Sequence, residues 1–122
     1  MKKKIVYIAH PIGAINPDEI SPAEWQIEQN LKAIQTAYRE ITASFDNVVP
    51  FVPYYAAVCS LNDSSAIERK LGFSHNEAIF KSGIIDELWL YGDRISAGML
   101  VEIGWAKELG ILIVSKSEGT RK

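Results

Sequence analysis

A glutamate lies where the inward face of an amphipathic helix is expected. The stretch GDRISAGMLVEIGWAKELG, residues 92–110, reads as a loop followed by a helix. At about 100° per residue, Glu102 shares its side of that helix with Gly98 and Ala106. A carboxylate there is costly unless it is hydrogen-bonded, paired or close to solvent in a cleft. Glu102 is therefore either a functional acid at the floor of a pocket, or a residue that bonds a buried backbone group or turns to the surface.

Two residues that precede Glu102 are suited to binding phosphate. Ser96 is the predicted N-cap of a helix that runs from Ala97 to Leu109. The unpaired N–H groups of a helix start, together with a serine hydroxyl, form a phosphate site, and Gly98 lets a phosphate approach the backbone. Helix capping alone also explains Ser96, so both interpretations stay open.

The elements that must position these residues alternate between strand and helix. Apolar strands followed by helices predict an α/β fold, with a parallel sheet covered by helices on both faces. We expect one domain, 1–122, with a flavodoxin-like (Rossmann-like) three-layer sandwich and a four- or five-stranded parallel sheet in the order 2-1-3-4. The predicted strands are 4–9, 47–53, 86–91 and 111–114; the predicted helices follow Ser21 and Pro22, with a stripe of Ile27, Leu31, Ile34, Tyr38 and Ile41, and then cover about 64–70, 74–81 and 97–109. The two prolines of 47–53 suit an edge strand, and the polar tail 115–122 is predicted to fray.

In such sheets, ligands bind beyond the carboxyl ends of the strands. Here that edge gathers the loop after Ala9, the loop after Val52 and the loop 92–96. These three loops are the predicted ligand site.

Composition excludes several classes of function. The chain has 122 residues, a net charge of -2 and no apolar run long enough to cross a bilayer, so neither a nucleic-acid partner nor a membrane is expected. The run after the lysines of the start is too short for a signal peptide, so we expect a cytoplasmic protein. One cysteine and two histidines give no disulfide and no zinc-type spacing, so no metal and no cofactor is predicted.

The first half of the helix 97–109 is apolar almost all round. Met99, Leu100, Val101 and Ile103 point to different sides of it. We expect a homo-oligomer that covers the outer side, with deep burial under neighbouring loops as the alternative.

Two stretches resemble a known family. DELWLYGDRISAGMLVEIGWAKELGI, residues 86–111, resembles the C-terminal half of the nucleoside 2-deoxyribosyltransferase-like superfamily, which includes deoxynucleoside-monophosphate N-glycosidases and small uncharacterised bacterial and phage proteins. VYIAHPIG, residues 6–13, is similar to its first strand and loop. The small uncharacterised branch is the best fit. Residues 14–83 match only in the order of elements.

The resemblance implies a reaction and a set of roles. The position of Glu102 is that of the nucleophile, which attacks the sugar C1′ and releases the base; hydrolysis and transfer differ in the acceptor. Asp86 matches an aspartate at the start of the third strand, although a solvated residue there is an equal interpretation. The monophosphate-cleaving relatives carry a serine at the position of Ser96, which favours a nucleotide over a nucleoside. An aspartate of the relatives corresponds to Ala78, beside Asn76 and Glu77, so the general acid is left open.

Further residues are expected to contact the ligand. His10, Pro11 and Gly13 lie where relatives bind it, although His10 can equally bond its own backbone. Asp93 is counted among the candidates for substrate binding, whereas its place beside Arg94 is more typical of a solvated turn pair. Aromatic residues near the strand ends are candidates for stacking on a base, or belong to the core: Tyr7, Trp25, Tyr54 and Tyr55.

Three functions remain in competition after the sequence is read. The first is a protein that binds a nucleotide or nucleoside and cleaves or transfers its N-glycosidic bond. The second is a non-catalytic nucleotide binder, such as a sensor or sequestering protein, which needs the pocket but not the nucleophile. The third is an oligomeric scaffold with a vestigial pocket.

Overall fold

The computed structural model describes residues 3–11, 24–53 and 66–120; for 24–27, 66–70, 72 and 73 it describes the backbone only. In this part of the chain four strands alternate with three helices. They are β1 Lys4–Ala9, α1 Glu24–Ser44, β2 Val48–Phe51, α2 Ala66–Lys81, β3 Glu87–Leu90, α3 Ala97–Leu109, β4 Leu112–Ser115 and a final 3-10 helix, Glu118–Thr120.

The four strands form one parallel sheet in the order β2-β1-β3-β4. This is a flavodoxin-like α/β fold, as the sequence predicts. β1 is central because its residues are apolar on both faces, and Val6 to Ala9 are completely buried. β2 lies at the sheet edge, where the proline at position 50 is tolerated, and this confirms the edge strand expected from its two prolines.

Alternation along β1 divides the core into two clusters. Val6 and Ile8 face α1 and pack with Ile41. Tyr7 and Ala9 face the other way, towards α2 and α3. On α1 the predicted apolar stripe is narrower than expected: Tyr38 is 42% exposed, whereas Ile34, Ala37 and Ile41 are buried.

α2 is one helix, where the sequence indicated two shorter segments. Gly72 and Ser74 suggested an interruption, but the structure carries the helix through both. A glycine inside a helix costs about 1 kcal/mol relative to alanine, and packing of Phe80 into the core offsets such a cost. The backbone of α2 is therefore helical without a break from Ala66 to Lys81.

The tail is ordered as far as Thr120, and the prediction that it frays is wrong for 118–120. The Thr120 side chain is buried, and its hydroxyl contacts the carbonyls of Ser117 at 2.7 Å and Leu90 at 3.4 Å. The Ser115 hydroxyl donates to the Thr120 carbonyl at 2.9 Å. Short polar side chains here bond the end of β3, so a polar composition did not mean disorder.

Candidate functional site

The helix that carries Glu102 begins and ends where the sequence predicts. Ser96 is its N-cap: the Ser96 hydroxyl accepts the Met99 N–H at 3.2 Å, and the Ser96 N–H contacts the Met99 sulfur at 3.5 Å. Gly110 ends the helix with φ 72°, a left-handed conformation that suits glycine. The capping interpretation of Ser96 is thus observed, and it leaves the N–H groups of Ala97 and Gly98 without intrahelical partners.

Glu102 faces inward, as predicted from the helix periodicity. It is 8% exposed, and the Tyr7 hydroxyl donates a hydrogen bond to its carboxylate. Burial raises the pKa of Glu102 from 4.5 to about 7, and the hydrogen bond from Tyr7 opposes that rise. At neutral pH the two protonation states of this carboxyl are close to equal in free energy, so it can accept or release a proton at little cost.

The surroundings of this pair are apolar. Met99 and Ala106 flank Glu102 on the buried side of α3. The Tyr7 ring packs on Phe80 of α2 with 4.7 Å between centroids, and Phe80 packs on Trp105 of α3 at 5.4 Å. Because aromatic and aliphatic groups exclude water, they strengthen any electrostatic interaction that Glu102 makes.

The loops after β1 and β3 touch each other at the carboxyl edge. Pro11 is buried, and a β-carbon placed on Gly92 would lie 2.5 Å from the Pro11 ring. Gly92 also has φ +106°, so glycine is required there for both space and conformation. The structure therefore brings His10 and Pro11 beside the loop that leads to Ser96.

His10 makes the local contact that was one of its two interpretations. Its Nδ1 lies 2.7 Å from the Pro11 carbonyl oxygen, which can only accept, so Nδ1 carries the proton. Burial lowers the pKa of His10 below its ordinary value. The ring is neutral at pH 7, and its Nε2 is then an acceptor near Gly92.

Asp93 forms the turn pair that the sequence suggested. Its carboxylate contacts Arg94 at 3.1 Å, and its side chain is 78% exposed. The 3-10 helix packs directly behind it, because a β-carbon on Gly119 would lie 2.2 Å from the Asp93 carbonyl oxygen. The 3-10 helix thus holds the backbone of this loop in place, whereas the Asp93 carboxylate points to solvent.

For Asp86 and Tyr7, the structure agrees with the second of the two interpretations that the sequence left open, a residue at the strand entrance and a residue of the core. Asp86 lies at the amino edge of the sheet, where its carboxylate accepts the Ile5 N–H at 2.7 Å, and it is not brought beside Glu102. Tyr7 does not offer a face for stacking on a base, because it is completely buried against Phe80. Tyr7 contributes its hydroxyl instead. The sequence did not reveal this role, because β1 is buried on both faces and its pattern does not show which side chain reaches Glu102.

The other sequence candidates divide into two groups. Gly98 is half-buried beside the N-cap, on the side that leads to Glu102. Gly13, Tyr54 and Tyr55, and the side chain of Trp25, lie outside the described residues.

Around the position left open for a general acid, the described side chains of α2 include one buried polar residue. Ala78 is exposed, and Glu77 pairs with Lys81 at 3.1 Å near the surface. Asn76 is buried, with 8% of its surface exposed. The sequence named Asn76 only as a neighbour of Ala78 and did not predict its burial, because it placed the residue near the start of a short helix.

The expected oligomer remains a prediction. On the outer side of α3, Leu100 is 60% exposed and Val101 is 42% exposed, which fits the apolar surface read from the sequence. Over the residues that the structure describes, no helix is long and apolar enough to cross a membrane. Within the same ranges, no three His, Cys, Asp or Glu side chains gather in an arrangement that could hold a metal ion.

Comparison with known proteins places the chain in a family without an assigned activity. Neither a curated protein nor a solved structure matches the sequence. One family model matches, over residues 4–116, which include all four strands and the three helices. The chain therefore belongs to the family described as a domain of unknown function, DUF7768.

Proposed function

We propose that this protein binds a nucleotide or nucleoside and cleaves or transfers its N-glycosidic bond, with Glu102 as the nucleophile. The observation that carries the proposal is the buried Glu102–Tyr7 pair, which lies on the second turn of α3, just below the carboxyl edge of the sheet. Ionisable groups with strongly shifted pKa values in dry surroundings are concentrated at functional sites.

The environment of Glu102 suits nucleophilic attack. An ionised carboxylate that has lost most of its hydration attacks more readily, and Glu102 is both buried and close to half-ionised at pH 7. The Tyr7 hydroxyl donates to the carboxylate, so it orients Glu102 and favours its ionised form. Helical Cα–Cβ bonds tilt towards the N-terminus, so Glu102 leans towards the ligand edge.

The reaction needs no group beyond the substrate and an acceptor. A Glu102 oxygen bonds to the sugar C1′ while the bond from C1′ to the base nitrogen breaks, and the base leaves with the electron pair and takes up a proton. Water, or a nitrogen of a second base, then attacks C1′, releases Glu102 and loses a proton. Two successive displacements retain the configuration at C1′.

The start of α3 supports a phosphorylated substrate. Ser96 and Gly98 lie one to two turns before Glu102, and no acidic residue occupies the first turn. Helix N-termini attract anions through their unpaired N–H groups and the helix dipole. A 5′-phosphate bound there places the sugar between the helix start and Glu102.

The test is base release from purified protein. A panel of ribo- and 2′-deoxynucleoside monophosphates and the matching nucleosides is incubated with wild type, Glu102→Ala and Glu102→Gln, and free base is followed by chromatography. We expect both variants to lose activity by about 10³-fold or more, as nucleophile removal does elsewhere. A 2′-fluoro nucleotide, which slows hydrolysis of the intermediate, should add the sugar phosphate to the intact mass of wild type alone.

Glu108→Gln is the matched control, because Glu108 is an exposed carboxylate on the same helix. It should retain wild-type activity. Tight nucleotide binding without base release, unchanged by Glu102→Gln, would instead identify a non-catalytic binder. Base release that survives in both Glu102 variants would remove Glu102 from the mechanism.

A further inference from the structure

A second buried polar side chain lies on the face of the sheet that carries Glu102. Asn76 belongs to α2 and is 8% exposed. Among the residues that the structure describes, its carboxamide makes no hydrogen bond. An amide buried without a partner destabilises the fold, so a protein rarely keeps one that is not used.

The aromatic contacts fix the depth of Asn76 relative to Glu102. Both α2 and α3 return the chain from the carboxyl edge to the amino edge of a parallel sheet, so the two helices run in the same direction. Phe80 of α2 contacts Trp105 of α3, and this pair sets a common level. Asn76 is four residues before Phe80, so it lies about 6 Å nearer the carboxyl edge than Phe80. Glu102 is three residues before Trp105, so it lies about 4.5 Å nearer that edge than Trp105.

Both side chains also face the same strand. Phe80 contacts the Tyr7 ring, and Glu102 accepts the Tyr7 hydroxyl, so both helices present these positions to β1. Asn76 follows the stripe of Phe80 one turn nearer the carboxyl edge. This geometry puts the buried polar groups of Asn76 and Glu102 at about the same height between α2 and α3, nearer the carboxyl edge than the contact between Phe80 and Trp105. The Glu102 carboxylate has one observed partner, and the Asn76 amide has none within the described ranges.

We propose that Asn76 positions the ligand at the Glu102 site, by hydrogen bonds from its carboxamide to an uncharged donor–acceptor group. This inference rests on the proposed function and deepens it. Two parts of a nucleotide carry such a group: the sugar hydroxyls, and the base edge where a carbonyl adjoins an N–H. An amide matches either one, because it has both a donor and an acceptor. Asn76 carries no proton to give, so it orients the substrate and does not act as the general acid.

Binding measured by calorimetry tests this role. The probes are thymidine 5′-monophosphate and 2-deoxyribose 5-phosphate, titrated into wild type, Asn76→Leu, Asn76→Ala and the exposed control Ala78→Leu. Glu102→Gln is included so that binding is measured without turnover. We expect both Asn76 variants to bind the nucleotide at least about tenfold more weakly than wild type. Weaker binding of both probes assigns the contact of Asn76 to the sugar. Weaker binding of the nucleotide alone assigns that contact to the base.

Thermal unfolding without ligand separates this role from a structural one. Because the Asn76 amide has no hydrogen bond in the described part of the chain, it adds no stability there, and Asn76→Leu should keep or raise Tm. A clear fall in Tm in both Asn76 variants would show that the amide supports the fold, and would overturn the inference. Equal nucleotide affinity in wild type and both variants would overturn it while leaving the proposed function intact. If neither probe binds to wild type or to Glu102→Gln, both proposals fail.

Discussion

Carboxylates lie near both edges of this sheet, and their surroundings differ. At the amino edge, Glu87 accepts Lys4 at 2.8 Å and the Trp89 indole N–H at 2.9 Å, and the hydrogen bond from Lys4 is the largest cause that lowers its pKa. On α3, Glu102 has one neutral donor among the described residues, Tyr7, and burial raises its pKa to about 7. The ion pair with Lys4 offsets the cost of removing Glu87 from water, whereas the burial of Glu102 lowers the stability of the fold.

That difference separates residues that serve the fold from residues that serve a site. A carboxylate with charged or backbone donors needs no ligand to explain it. Glu102 has no charged partner among the described residues, and burial of its carboxylate costs stability. Its presence among Met99, Ala106 and Tyr7 therefore favours a function, and three experiments test the contrast between the two edges.

The largest expected effect is on the pH dependence of base release. Glu102 must be ionised to attack, so kcat/KM should rise about tenfold per pH unit below pH 7 and become constant above it. Between pH 5 and pH 7 the increase is about 50-fold, because half of the carboxyl is still protonated at its pKa. Thymidine and its monophosphate should both be measured, because the phosphate itself titrates near pH 6.

If the curves of kcat/KM against pH have the same inflection for both substrates, the titrating group belongs to the protein. Tyr7→Phe removes the hydrogen bond that favours the ionised carboxylate, so its inflection should move to higher pH. A rate that falls as pH rises from 5 to 7 would contradict a nucleophilic Glu102.

The next effect is on stability, and it has opposite sign at the two edges. The pKa of Glu102 is about 7 in the folded chain and 4.5 in an unfolded one. The contribution of the Glu102 carboxyl to the free energy of unfolding is therefore full below pH 4.5. It falls by on the order of 3 kcal/mol as the pH rises to about 7. Glu102→Gln does not titrate, so it should be more stable than wild type at pH 8 and equal to it near pH 4.

Glu87→Gln is the comparison for that measurement. The lowered pKa of Glu87 gives stability that is present above the unfolded pKa of 4.5 and is lost as pH falls through the folded value. This variant should be less stable than wild type at pH 8 and approach it in acid. Urea unfolding at pH 4, 6 and 8 checks both variants, and parallel curves for the two would refute the contrast.

The fold and the position of Glu102 could be predicted because both depend on local patterns. Apolar strands that alternate with helices determine a parallel sheet, and the helix 97–109 has a strong cap and a clear period. That period placed Glu102 on the inward face of the helix and left open whether the carboxylate turns to the surface, and the structure buries it. These signals need no knowledge of distant contacts.

The remaining features depend on contacts between distant parts of the chain. Tyr7 is buried on a strand that is apolar on both faces, so its sequence neighbours cannot show that it reaches Glu102, ninety-five positions later. The burial of Asn76 was not predicted, because the sequence indicated two short helical segments where tertiary packing forms one helix. Thr120 lies in a polar tail, and its contact with the Leu90 carbonyl is equally invisible to local reasoning.

The smallest effect is expected from Asp86, and it tests whether the amino edge contributes to chemistry. Asp86→Ala removes the acceptor of the Ile5 N–H and should cost about 1 kcal/mol. Asp86→Asn keeps an acceptor of the same shape and should cost less. Base release per folded molecule should stay within about threefold of wild type in both, since a hydrogen bond of this size acts on strand pairing and not on Glu102. A loss comparable to that of Glu102→Gln would show that the two edges are coupled, and would restore the catalytic role that the resemblance implies for Asp86.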